Sequence, residues 1–102
     1  MPNPTIGRTV LYRVTEQDAN DINGRRKDWH LSGVADQQTG VVGHVGNTVE
    51  PGDVFPAVIV RVWDESVVTC NLRVLLDGTD VHWATSRAEG TEPGNWSWPV
   101  IA

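Results

Sequence analysis

VVTCNLRVLLDGTDVHWATS, residues 67–86, is the stretch that decides the fold. Two runs of β-branched and apolar residues flank Asp77-Gly78, and Asp-Gly between such runs is a strong hairpin signal. A two-residue loop there sets Val74 opposite Val81, Leu72 opposite Trp83 and Cys70 opposite Thr85. A four-residue loop, Asp77–Asp80, slides the pairing but keeps every parity. On either register Cys70, Leu72, Val74, Leu76, Val81 and Trp83 share one face, so Trp83 is expected in the core. Its truncation to Ala should then cost roughly 3–5 kcal/mol. The opposite face carries Asn71, Arg73, His82 and Ser86, and is open to solvent or a ligand.

Working outward, FPAVIVRVW (55–63) is a nearly all-apolar strand. Val58, Val60 and Val62 are expected on one face, with Ala57, Ile59, Arg61 and Trp63 on the other. A further strand covers Thr9–Val14, with Val10, Tyr12 and Val14 pointing one way and Thr9, Leu11 and Arg13 the other. Thr15 followed three residues later by Asp18 fits a capping box, so a short helix should start near Glu16. Ala19 and Ile22 give it a narrow apolar stripe, and Asn23-Gly24 should weaken or end it. Residues 31–53 are rich in glycine turns, between which short pieces such as Val41-Val42 and His44-Val45 are expected to pair. The sum is a mainly β fold of about five or six strands with one short helix after the first. The economical closure is a small SH3-like or OB-like barrel or sandwich, one domain over residues 1–102.

Composition narrows the function classes. The net charge of −5 argues against general affinity for duplex nucleic acid. Cys70 is the single cysteine, which excludes an intramolecular disulfide and a cysteine-based zinc site, and its strand context reads as a buried small hydrophobe. No secretory signal and no membrane-spanning run is present in the sequence, so an intracellular soluble protein is expected. Catalytic motifs are missing: no Gly-x-Ser-x-Gly, no Gly-x-x-x-x-Gly-Lys, no His-Glu-x-x-His. His30, His44 and His82 fall in different segments and are not expected to gather on a metal. Asp64-Glu65 and Asp77 with Asp80 read as turn formers. The chain is therefore expected to be no enzyme and to need no cofactor.

Binding is the better-supported class. Guanidinium groups beside flat aromatic surface are what recognition of a nucleotide requires: stacking on the base, bidentate bonds to the phosphate. Arg25, Arg26, Arg61 and Arg73 are the candidates for phosphate; Arg25-Arg26-Lys27 also fits a solvated helix end. Trp63, Trp96 and Trp98 are the candidates for stacking. The last two belong to PGNWSWP, residues 93–99, a short edge strand bounded by prolines. Its paired indoles either cap the barrel or form an interface, and a homo-oligomer joined through this edge is the expected assembly.

GRTVLY (7–12), EQDANDINGRR (16–26), HVGNTVEPGDVFPAVIVRVW (44–63), LLDGTDVHWATS (75–86) and PGNWSWP (93–99) together resemble a widespread group of small, mostly uncharacterised proteins of tailed bacteriophages and prophages. Residues 27–43 fit that pattern least. The resemblance implies a phage origin and action in the cytoplasm of an infected bacterium, and it transfers no functional residues. Two functions suit such a protein, the first being the expected one and the second its alternative. One is sequestration of a small host molecule, for instance a nucleotide immune signal; the other is a virion component, decorating the capsid or joining head to tail.

Overall fold

The computed structural model describes residues 3–31, 45–63 and 69–100, and the side chains of 29–31 lie outside that description. In chain order the elements are β1 (Thr9–Arg13), α1 (Glu16–Leu31), β2 (Val54–Val62), β3 (Cys70–Leu75), β4 (Val81–Arg87) and β5 (Trp96–Ser97). The strands form one antiparallel sheet in the order β4-β3-β2-β1-β5. The mainly β fold with its helix after the first strand is thus as the sequence predicts. The expected pairings of 41–45 fall largely outside the described residues.

One face of the sheet is the core. Val10 and Tyr12 of β1, Ala57 and Ile59 of β2, Leu72 and Val74 of β3 and Ala84 of β4 are buried there, with Ala19 and Ile22 of α1 and with Trp96. Cys70 is fully buried among them, as expected. The sheet curls: Tyr12 from β1 and His82 and Arg87 from β4 all reach Asp18 of α1, although two strands lie between β1 and β4. Beyond β4, a parallel bridge pairs Glu89 with Trp96, flanked by Trp96 N donating to Ala88 O (3.1 Å) and Gly90 N to Trp96 O (2.9 Å). No continuous ladder joins β4 to β5 among the described residues, so of the expected barrel the structure has the curl and this one bridge.

Three local departures set which side chains face out. The hairpin pairs Leu75 with Val81, Val74 with His82 and Arg73 with Trp83. Its connection, 76–80, therefore holds an odd number of residues, and a one-residue slip exchanges the faces of β4. The expected core placement of Trp83 and Val81 is overturned: both are exposed, and His82 is buried instead. The loop is drawn wide because it pairs with 45–47: Gly46 bridges Gly78, Asn47 N donates to Asp77 O (3.0 Å) and Thr79 N to Val45 O (2.7 Å).

The second departure is a bulge between Ile59 and Arg61 of β2, which shifts the register by one residue. Val62 turns in against the core, and Arg61 leaves the face it was expected to share with Ala57 and Ile59. A third shift lies between Cys70 and Leu72, where Ser86 takes a positive φ of 55°. Its N–H donates to Asn71 Oδ1 at 2.8 Å, and Arg87 comes to pair with Cys70 on the inner face.

The helix starts where the capping box predicts. Asp18 N donates to Thr15 Oγ1 (2.9 Å) and Thr15 N to Asp18 Oδ2 (3.1 Å), satisfying two otherwise orphan donors. It does not stop at Asn23-Gly24. Asn23 Nδ2 donates to Val49 O (2.8 Å) while Val49 N donates to Asn23 Oδ1 (3.1 Å), so this side chain ties the helix to the 45–49 segment. Tertiary bonds outweigh the local preference here. No helix among the described residues is long and apolar enough to cross a membrane.

Candidate functional site

β4 presents two chemistries, one on each face. Inward, Asp18 is the hub of a buried polar network. It accepts from Tyr12 Oη, from Thr15 N, from Arg87 Nη2 (3.3 Å) and from His82 Nε2 (3.0 Å). Arg25 Nη1 stands 3.3 Å from His82 Nδ1; a guanidinium can only donate, so Nδ1 carries the lone pair and Nε2 the proton. Both imidazole nitrogens are thereby occupied. Burial by itself would raise the Asp18 pKa, but the bonds from His82, Tyr12 and Thr15 and the charge of Arg87 outweigh it and hold the carboxyl well below the usual range. Burial, then the bond to Asp18, pushes the Tyr12 phenol far up.

Beside this hub lies a cleft of about 390 Å³, walled by Gln17 and Asp21 of α1 and by Trp83, Thr85 and Arg87 of β4. That volume is within the range of small-ligand sites. Trp83 stands at its rim, 66% exposed.

Outward, Trp83 is directly opposite Arg73 of β3, and Arg73 is opposite Val58 of β2. Past the β2 bulge, the Arg61 guanidinium lies 5.7 Å from the centre of the Trp63 ring, and Trp63 is 50% exposed. Among the described residues neither Arg61 nor Arg73 has a carboxylate partner. The chain carries 13 acidic residues and a net charge of −5, yet not one of the five strands contains Asp or Glu. Every acid among the described residues lies in the helix or the connections, and the strands hold Arg13, Arg61, Arg73 and Arg87. The outer face of an acidic protein is thus free of strand carboxylates.

Arg61, Trp63 and Arg73, three of the residues expected to bind a ligand, share this outer face. The other four lie elsewhere. Arg26 is engaged by Asp80 through Nε (2.9 Å) and Nη2 (2.7 Å) and also donates to Asn47 O, so the phosphate role expected of it gives way to holding two loops on the helix. Arg25 donates to Val81 O (3.3 Å) beside its contact with His82. Trp96 is wholly buried and donates from Nε1 to Arg87 O at 3.0 Å, which makes it core instead of stacking surface. Trp98 is half-buried, edge-on to Trp96 with ring centres 5.3 Å apart and with Arg8 4.9 Å over its face. PGNWSWP therefore seals the protein's own edge: β5 pairs with β1 through Leu11–Ser97 and Tyr12–Trp96. An interface with a second copy finds no exposed Trp96 there.

Sequence reasoning missed Trp83 as surface and Arg87 as an inward group; the one local signal for the hub was Thr15-x-x-Asp18. Among the described residues no group of three or more His, Cys, Asp or Glu is placed to hold a metal ion. The side chains of His30 and His44 lie outside the described residues. No known family, curated protein or solved structure matches this chain.

Proposed function

We propose that the chain is a non-enzymatic binding protein that holds a small nucleotide-type ligand on the outer face of its sheet and so withdraws it from solution. The observation that carries this reading is Trp83, a largely exposed indole directly opposite Arg73 on a face whose strands carry no carboxylate. Stacking of a base on the indole and bidentate bonds from the guanidinium to a phosphate are complementary halves of nucleotide recognition. The adjoining cleft supplies Gln17, Thr85 and Asp21 as polar partners for the edge of a stacked base. The non-catalytic part of the reading is supported by the commitment of His82 and Asp18 to one another and to Arg25, Tyr12 and Arg87.

Given the resemblance to proteins of tailed phages, the ligand is a host molecule such as a nucleotide immune signal, and the site of action is the cytoplasm of the infected cell. Native mass spectrometry of protein purified gently from infected, immune-activated bacteria tests this, with masses compared before and after denaturation. A releasable ligand absorbing as a nucleobase is expected, and its loss in Trp83→Ala places it on this face. Ligand-free protein that co-sediments with virions sinks the reading. The competing role, a virion component, draws on one observation: Leu75 and Val81 form an exposed apolar pair on the same outer face, suited to protein contact.

A further inference from the structure

The outer face carries a second guanidinium–indole couple, and the order of the four groups constrains the ligand. Val62 is opposite Cys70, so Trp63 continues β2 one residue beyond that pair; Arg61 is opposite Asn71, and Arg73 opposite Trp83. Laid on the sheet, the four run diagonally in the order Trp63, Arg61, Arg73, Trp83. With a rise of about 3.3 Å per residue and about 4.8 Å between strands, the two arginine Cα atoms are about 8 Å apart and the two tryptophan Cα atoms about 16 Å apart. Two aromatic platforms therefore flank two cations.

We infer that this face takes a ligand with two bases joined through central phosphates, in preference to a mononucleotide; the inference rests on the nucleotide-binding reading above. Each indole stacks one base, and Arg61 and Arg73 face the phosphates between them. Charge supports this occupant: two guanidinium groups without carboxylate partners among the described residues match two phosphate charges, on a chain whose net charge of −5 otherwise repels anions. The Arg61–Trp63 contact already holds one couple in order, which lowers the entropy lost on binding.

Isothermal titration calorimetry of the full chain tests this with four probes: a mononucleotide, a 5′–5′ dinucleoside pyrophosphate, a cyclic dinucleotide and a short single-stranded oligonucleotide. At least one two-base probe should bind about 10- to 100-fold more tightly than the mononucleotide, the contribution of a second stacked base. Trp63→Ala should bring that probe down to about the affinity of the mononucleotide. The two small dinucleotides against the oligonucleotide distinguish a compact ligand from a nucleic-acid strand. Equal affinity for one and two bases, or full dinucleotide affinity in Trp63→Ala, overturns the two-base inference alone. Failure of every probe to bind overturns the nucleotide reading itself. Both indoles are at least half exposed, so the Ala variants are expected to fold, and their melting temperatures check it.

Discussion

Asp18 shows what a buried carboxylate needs in order to remain charged: four donors drawn from β1, the cap of α1 and β4. Its folded-state pKa is depressed, so the unfolded chain binds the proton more tightly. The stability this gives is fully present above the ordinary carboxylate range, near pH 4, and is lost as pH falls through the folded value. Acid titration followed by circular dichroism should show Asp18→Asn less stable than the parent at pH 7, with the gap narrowing towards pH 2. Tyr12, whose pKa is raised, contributes in the opposite sense: its share is intact below about pH 10 and fades above it. At Trp83 the expectation from sequence is reversed. An indole exposed to this degree packs little, so Trp83→Ala should change stability by only about 0.5 kcal/mol in urea unfolding. A cost near the 3–5 kcal/mol of a core tryptophan would restore the original hairpin register.

Among the elements, the helix and the hairpin loop make separate predictions. Gly24 sits inside α1 with open space where a Cβ would go, so Gly24→Ala should stabilise the protein by up to about 1 kcal/mol, read as a raised melting temperature. Gly78 is the reverse case. A Cβ there would lie 2.5 Å from Val45 O and 2.7 Å from Gly46 Cα, both backbone, with the Arg26 guanidinium behind them. Gly78→Ala should therefore force the 45–47 and 76–80 segments apart, costing about 1–3 kcal/mol in the same assay. These elements also mark what was legible in the sequence. β2, β3 and β4 stand out because β-branched runs interrupted by Asp-Gly have few other readings, and the cap of α1 is local. Legible in β1 and β3, parity was not so at the end of β2 or in β4. It depends on a loop whose length is set by Gly46 and Asn47, about thirty residues upstream, and on bulges at Val60 and Ser86 that no local residue pattern announces. Arg61 and Trp63 reached the face of Arg73 through the β2 bulge, and Trp83 joined them through the length of the loop.

For the molecule as a whole, the curled sheet separates its two chemistries: Asp18 is buried and compensated on the helix side, while Arg61, Arg73 and the two indoles stand on the other with no carboxylate partner among the described residues. The core between them holds the chain's single thiol. Cys70 is wholly enclosed, and burial pushes its thiol up to about 11, so in the folded state it is both inaccessible and protonated. It can report on the rest of the chain. A disulfide reagent at neutral pH should leave the native protein untouched and modify it only during transient opening, at a rate set by the opening equilibrium. Any compound that binds the folded form alone must slow that modification by the factor 1 + [L]/Kd, whatever its identity and wherever it binds. The buried thiol thus serves as a stopwatch against which mixtures of candidate metabolites can be screened, with no label attached and no assumption about the site.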